Sequence, residues 1–204
     1  MLNIRKSPLI WLLITFLAII LLTAIAPAEK TLGENVRIVY LHAAWVWAAL
    51  LIILAAAVTG LVALLTRRPE LHYWSRALGR VGLLFWITFL PMSILAMQAT
   101  WNGLFLAEPR WRTAFIFAVT GILLQLGLSF LQPVWASILN LIYWASLFFS
   151  ILGVVNVLHP ASPIRDSNSI AIQLFYLSLL ALTLVLAGLI TRWLYKFEFS
   201  RSGS

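Results

Sequence analysis

Six long apolar runs dominate the chain, and each falls within or above the range of about 17–25 helical residues that cross the hydrocarbon core of a bilayer. They occupy roughly residues 9–26, 38–65, 81–97, 113–130, 134–157 and 169–193. Backbone groups in hydrocarbon must be hydrogen-bonded within a helix or a closed barrel, and these runs lack the alternating pattern of barrel strands. The sequence therefore predicts an all-α integral membrane protein, a six-transmembrane-helix bundle forming one polytopic domain over residues 1–204.

The composition agrees with a membrane protein and excludes several kinds of site. Hydrophobic residues make up 63% of the chain and charged residues only 10%. There is no cysteine, which excludes disulfides, thiolate metal sites and haem attached through a C-x-x-C-H motif. The net charge of +8 does not indicate nucleic-acid binding, because the basic residues flank apolar runs and form no patch among exposed aromatics.

The distribution of Lys and Arg predicts the orientation of the bundle. With a cytoplasmic N-terminus, nine basic residues lie inside, namely Arg5, Lys6, Arg67, Arg68, Arg76, Arg80, Arg192, Lys196 and Arg201. Five lie outside, namely Lys30, Arg37, Arg110, Arg112 and Arg165. This excess favours an N-in and C-in topology. The first run also fits a signal peptide, but Pro27 directly after Ala26 argues against cleavage there, and the later helices keep their orientation in either case.

Two of the three histidines, His42 and His159, lie near the outer ends of predicted spans. His42 falls about one turn inside the second helix, and His159 lies in or near the loop after the fifth. Two neutral imidazoles from different segments suit the two axial positions of haem iron. A zinc or copper site is less favoured, because Glu108 would complete only a three-ligand set. Histidines near a membrane interface also serve as ordinary hydrogen-bond partners, so the residues alone leave a purely structural role open.

The connection between the third and fourth helices opens to the same side and is rich in aromatic and basic residues. Flat aromatic side chains can cover a porphyrin, and guanidinium groups can bind its propionates. The aromatic candidates are Trp101, Phe105 and Trp111, and the basic candidates are Arg37, Arg110 and Arg112. Tryptophans and loop arginines are also common at any membrane interface, which is the alternative explanation for them. His72 lies among the cytoplasmic charges and is assigned no role.

Three stretches of the chain carry a resemblance to a known family. The first stretch comprises residues 26–28 and 36–44 and includes His42. The second stretch, residues 101–110, begins with Trp101 and Asn102 and ends with Glu108, Pro109 and Arg110. The third stretch, Gly153–Asn156, precedes His159. In this order among six spans, over roughly residues 26–165, they resemble the haem exporter protein C family, the cytochrome c assembly membrane proteins.

The resemblance implies a protein of cytochrome c biogenesis that holds haem b non-covalently at the outer membrane face. His42 and His159 would be the axial ligands of the haem iron, and the loop would contribute Trp101, Glu108 and Arg110. The protein would present haem to a haem chaperone or an apocytochrome c, and an ABC transporter of the cytochrome c maturation system is a further candidate partner beside membrane lipid. The loop departs from the family pattern, because it keeps only Trp101 of a tryptophan cluster and has Glu108 in place of an aspartate.

Haem delivery is a transfer function, so conventional enzymatic catalysis is not expected. Two alternatives stay open at this point: a membrane electron carrier that keeps its haem, and a non-catalytic transporter subunit. The second alternative needs a partner ATPase, because the chain has no G-x-x-x-x-G-K-[ST] phosphate loop. The expected location is a bacterial-type inner or plasma membrane, with the haem site facing outward.

Overall fold

The computed structural model describes residues 7–157, 164 and 167–202, and this part of the chain forms six α-helices. In chain order they are α1 (Pro8–Ala24), α2 (Val36–Thr66), α3 (Pro69–Trp101), α4 (Pro109–Leu128), α5 (Pro133–Leu152) and α6 (Ile170–Ser202). Five of them are long and apolar enough to cross a membrane, and α1 is a shorter apolar helix of 17 residues. The predicted all-α, six-helix membrane bundle is confirmed.

Prolines, and residues with a left-handed backbone conformation, set several helix boundaries. The first helical residues of α1, α3, α4 and α5 are Pro8, Pro69, Pro109 and Pro133. Proline suits this position because its fixed φ is helical and its missing N–H would find no partner in the first turn. α2 and α3 end before Arg67 and Asn102, whose φ values of +55° and +52° turn the chain out of the helix.

Two helices extend well beyond their apolar runs. α3 begins at Pro69 and α6 continues to Ser202, whereas the runs cover only 81–97 and 169–193. An apolar run marks the part of a helix that lies in hydrocarbon, and the polar turns beyond it are still helical. The extensions of α3 and α6 pack against each other, with the rings of Trp74 and Tyr195 stacked at 4.2 Å.

Two other helices also differ from their apolar runs: α5 is shorter than its run, and α4 is shifted towards the N-terminus relative to its run. α5 ends at Leu152, although the run continues to residue 157, and Asn156 within that remainder has φ +55°. α4 spans 109–128 in place of the predicted 113–130, because Pro109 and the capping residue Glu108 begin it about one turn earlier.

The antiparallel pair α2 and α3 forms the centre of the bundle. Asn35 Nδ2 donates to Ala99 O (3.3 Å) at one end of the pair, and Ser75 Oγ donates to Ala56 O (2.9 Å) towards the other. α5 and α6 pack against both central helices, while α4 packs against α3 and α5, and α1 mainly against α6.

The α4 and α5 helices form the antiparallel hairpin that the tight connection at Leu131, Gln132 and Pro133 predicts. Gln125 Nε2 donates to Asn140 Oδ1 (3.1 Å) close to the turn. Farther from the turn, the Tyr143 hydroxyl donates to Phe117 O (2.7 Å). These two contacts fix the register of the hairpin.

Small residues let the helices approach closely at the centre. A Cβ atom added to Gly60 of α2 would lie 2.8 Å from Ser137 O of α5, and one added to Gly82 of α3 would lie 2.6 Å from Ile53 Cγ1 of α2. Membrane helices associate through such packing, since lipid gives no hydrophobic force that drives apolar helices together. The glycines therefore set how close α2, α3 and α5 lie.

The two ends of the bundle differ in chemistry. The His42 end comprises the N-terminus of α2, the C-terminus of α3 and the N-terminus of α4. The arginine end comprises the N-terminal half of α3, the α4–α5 turn and the C-terminus of α6. At the arginine end, Arg76 Nη2 donates to Leu131 O (2.5 Å), and Arg80 forms an ion pair with Glu198 of α6. Buried charge needs such partners, and Arg76 is only 8% exposed.

Candidate functional site

His42 lies on the central helix pair, close to the N-terminus of α2. It is the seventh residue of that helix, nearly two turns from its start at Val36. The side chain is half-buried, and its ring lies 5.9 Å from the ring of Phe89 on α3, at an interplanar angle of 53°. The helix pair therefore presents an imidazole from a rigid element and not from a loop.

The α3–α4 connection places an apolar surface at the same end. Trp101 closes α3, and its ring meets that of Phe105 edge to face at 5.2 Å. Leu104, Phe105 and Leu106 are 56%, 44% and 45% exposed. The chain turns sharply here because Asn102 is left-handed, which directs these apolar side chains away from the bundle interior.

Glu108 is the N-cap residue of α4 and is buried. It is 3% exposed, and its Oε2 accepts a hydrogen bond from the backbone N–H of Trp111 at 2.6 Å. This is the geometry of an N-cap, and a carboxylate at this position also interacts favourably with the positive end of the helix dipole. The acidic residue predicted for the loop therefore fixes the first turn of α4, the turn that carries Arg110, Trp111 and Arg112.

The three candidate arginines differ in their surroundings. Arg37 forms an ion pair with the exposed Glu34 at 3.3 Å, but its own side chain is only partly exposed and its Nε is buried. Arg110 and Arg112 are exposed on the first turn of α4. A solvent-accessible pair such as Arg37 and Glu34 contributes little to stability and separates easily. Arg110 and Arg112 are therefore the most accessible guanidinium groups for an anionic ligand, and Arg37 can offer only the outer part of its group.

Trp111 points into the bundle more than the loop aromatics do. It is half-buried, packs against the hydrophobic core and stacks on Phe115 with a ring separation of 5.6 Å and an interplanar angle of 12°. Trp101 and Phe105 form one aromatic contact and Trp111 belongs to another. The structure thus brings two of the three predicted platform residues into contact, with the third on the neighbouring turn of α4.

The second predicted ligand, His159, lies outside the described residues, as do Pro160, Pro163, Arg165 and Asp166. α5 runs towards the His42 end, because it is antiparallel to α4, and its last helical residue is Leu152. Ile164 is described in the following segment, and it is buried at 6% exposure.

Phe89 and Trp86 were not singled out from the sequence, yet they connect the site to the helix core. The rings of Phe89 and Trp86 meet edge to face at 4.8 Å, and Trp86 Nε1 donates to Ala114 O of α4 (3.0 Å). Their spacing of three places both on one face of α3, which is the only signal that the sequence offers. Aromatic residues at that spacing are common in any helix core.

His72 lies near the arginine end, far along α3 from Phe89. Its Nδ1 is 2.7 Å from the Ser137 hydroxyl, and it lines a shallow pocket of about 210 Å³ with Tyr73 and Gln132. Within residues 7–157, 164 and 167–202, no three His, Asp or Glu side chains form a cluster that could hold a metal ion.

Fold and site together define an all-helical, multi-pass membrane protein with a histidine and an exposed aromatic loop at one end. No family model matches the chain. It is similar to two curated plant proteins that share the provisional description "cytochrome c biosynthesis ccmC-like mitochondrial protein". The protein from Marchantia polymorpha is 33% identical over 107 residues, and that from Arabidopsis thaliana is 29% identical over 107 residues.

Both matches cover 52% of this chain, but only 42% and 41% of the relatives, so the chain spans less than half the length of the proteins it matches. The predicted resemblance to the haem exporter protein C family is confirmed by these relatives.

Proposed function

We propose that this protein acts in cytochrome c biogenesis by holding haem b at the His42 end and presenting it to a haem chaperone or an apocytochrome c. The observation that carries the proposal is the position of His42, on a rigid helix at the same end as the exposed aromatic loop. The names of the two relatives support the pathway.

The described residues suit the chemistry of haem b as a cargo. Haem b offers an iron that accepts imidazole nitrogen, a flat apolar ring and two carboxylates. His42 supplies the nitrogen donor, Phe105 and its neighbours supply exposed apolar surface, and Arg110 and Arg112 supply exposed positive charge. His159 is the proposed second axial ligand.

Each part of the site has a separate task in this proposal. His42 binds the iron from a helix held by the bundle core. Arg110 and Arg112 attract the carboxylates, and the capping by Glu108 keeps their turn helical. The exposed loop leaves one edge of the cargo accessible, so an acceptor can bring its own ligand and displace one histidine.

We propose that the His42 end faces outward and the arginine end faces the cytoplasm or its organellar equivalent. Arg67, Arg68, Arg76 and Arg80 lie on the arginine side of the bundle, as the positive-inside rule requires of a cytoplasmic face. A bacterial-type inner or plasma membrane is the proposed location. An ABC transporter of the maturation system is the proposed additional partner.

Orientation is testable with single cysteines, because the chain has none of its own. The new thiol of Phe105→Cys should react with an impermeant maleimide from outside, while that of Gln132→Cys in the α4–α5 turn should react only after permeabilisation. Reaction of both from the same side would contradict the topology.

Haem ligation is tested by the reduced-minus-oxidised absorption spectrum of protein expressed with haem available. The native protein should show a low-spin haem b spectrum, and His42→Ala and His159→Ala should each lose it or convert it to a high-spin spectrum. His72→Ala is the matched control, since His72 lies away from the site, and it should keep the native spectrum. A native protein without haem, or an unchanged spectrum in His42→Ala, would refute the proposal.

A further inference from the structure

An aromatic bridge, which we define as Phe89 and Trp86 of α3, lies between His42 and the start of α4. The His42 ring contacts the Phe89 ring at 5.9 Å, and the Phe89 ring contacts the Trp86 ring at 4.8 Å. Trp86 Nε1 then donates to Ala114 O at 3.0 Å. Three successive contacts therefore join α2 to α4 through α3.

Burial makes this bridge stiff. Phe89 is 5% exposed and Trp86 is 2% exposed. Aromatic side chains have only two rotatable bonds, and rings packed in a helix core at this density have little room to change rotamer. The indole N–H of Trp86 is also held by its carbonyl acceptor. None of the contacts depends on a long, flexible side chain.

The bridge ends close to the turn that carries the candidate arginines. Ala114 follows Arg110 by four residues, so its carbonyl lies about one turn farther along the same helix. A displacement of Trp86 would therefore be transmitted both to the ring against His42 and to the first turns of α4.

A histidine that binds a metal needs its ring held in one direction, and neighbouring groups usually supply that restraint. We infer that Phe89 and Trp86 are positioning residues, which fix the imidazole of His42 relative to the first turns of α4. The inference rests on the proposed function for its biological meaning, although the restraint itself exists without cargo.

Phe85 provides a matched control for Phe89. It lies one turn earlier on α3, is 1% exposed and stacks on Trp45 at 4.7 Å. Phe85→Leu and Phe89→Leu remove the same atoms from the same helix at similar burial, so they should lower stability by similar amounts. Only Phe89→Leu removes the ring that contacts His42.

The first experiment uses the full chain without haem, in lipid nanodiscs, with isotope-labelled histidine. The chain has only three histidines, and His72 at the arginine end serves as an internal reference. Phe89→Leu should broaden or split the ring signals of His42 and leave those of His72 unchanged. Phe85→Leu should leave both sets unchanged. Unaltered His42 signals in Phe89→Leu, or equal changes in both variants, would overturn the inference.

The second experiment measures how much added imidazole displaces the native ligand in haem-loaded protein. Phe89→Leu should need about threefold to tenfold less imidazole than the native protein, the range expected for loss of one aromatic pair. Trp86→Phe, which keeps a ring but cannot donate to Ala114 O, should shift the titration in the same direction. Phe85→Leu should match the native protein, and a titration in Phe89→Leu that also matches it would contradict the inference.

The two experiments separate this inference from the proposed function. If the His42 ring signals broaden or split in Phe89→Leu but the native protein binds no haem, the proposed function is refuted and the positioning role stands. If the native protein binds haem but the His42 signals are unchanged in Phe89→Leu, the positioning role is refuted and the proposed function stands.

Discussion

Gly60→Ala tests whether glycine sets the distance between α2 and α5. A Cβ at this position would lie 2.8 Å from Ser137 O, 2.9 Å from Ser137 Cα and 3.0 Å from Ser75 Oγ. Two of these three atoms belong to the backbone of α5. Rotation of a side chain cannot relieve that clash, so one helix must move.

The expected loss of stability follows from two opposing effects. Alanine is favoured over glycine inside a helix by about 1 kcal/mol. Overpacking a tight interior costs about 1–3 kcal/mol, and the backbone contacts place Gly60 in the upper part of that range. The net destabilisation should be about 1–2 kcal/mol, which lowers the melting temperature of a domain this size by about 2–8 °C. Thermal unfolding in a mild detergent measures it.

Gly188→Ala is the control, because a Cβ at Gly188 of α6 would meet nothing within 4 Å. It should melt at or slightly above the native temperature. Equal melting temperatures for Gly60→Ala and Gly188→Ala would refute the role of close approach.

Double mutants distinguish a backbone clash from a side-chain clash. The three atoms nearest to a Cβ at Gly79 all belong to the side-chain amide of Asn140, with its oxygen at 2.6 Å and its nitrogen at 2.7 Å. Asn140→Ala should therefore relieve part of the cost of Gly79→Ala, with a coupling energy of about 1 kcal/mol. Ser137→Ala should not relieve Gly60→Ala, because the clashing Ser137 atoms remain.

Three further outcomes follow from individual contacts. Asn140→Leu removes the amide that donates to Ser75 O at 2.8 Å, and unfolding in detergent should show a loss of about 0.6–1.7 kcal/mol, as for other polar contacts between membrane helices. Glu108→Ala removes the α4 cap and should cost about 0.5–2 kcal/mol in the same assay, while an exposed substitution such as Arg110→Ala should cost little. Desolvation raises the pKa of Glu29. Hydrogen bonds from backbone N–H groups, of which that of Leu32 has the largest effect, outweigh the desolvation, so the pKa of Glu29 lies below its ordinary value. These hydrogen bonds therefore stabilise the α1–α2 loop fully when the pH is above the pKa of Glu29 in the unfolded chain, and the stabilisation is lost as the pH falls through the lower pKa of the folded chain. The NMR shift of the Leu32 amide should titrate with a midpoint below the ordinary glutamate pKa. A midpoint at or above the ordinary pKa would contradict the prediction.

The helical fold was predictable because hydrocarbon leaves so few alternatives. Six apolar runs sufficed to predict six helices, since a spanning segment must satisfy its own backbone. The true ends of α3 and α6 were not predictable from apolar residues, because their polar extensions depend on each other. Arg80 pairs with Glu198 and Trp74 stacks on Tyr195, and these partners are more than a hundred residues apart in the chain.

The candidate site was predictable only where a residue type is unusual for its place. His42 stands out because histidine is rare in an apolar run, and its position at one end of α2 follows from the run itself. Phe89 does not stand out, because phenylalanine in such a run is ordinary and its contact with His42 depends on the register of α2 against α3. Glu108 was predicted as an acidic loop residue, but its role as the cap of α4 depends on where that helix begins.

The contrast between the two ends of the bundle suits the proposed function, in which haem is first held and then released. Arg76 and Arg80 tie three elements together at the arginine end, while the loop exposes Phe105 at the same end of the bundle as His42, the proposed ligand. If the loop guides release, Phe105→Ala should leave the haem spectrum unchanged but slow transfer to an acceptor apoprotein in stopped-flow measurements. Phe130→Ala, which changes an 88% exposed ring at the arginine end, should affect neither. Transfer at the native rate in Phe105→Ala would show that the Phe105 ring has no part in release, and would favour ligand exchange at the histidines as the step that controls it.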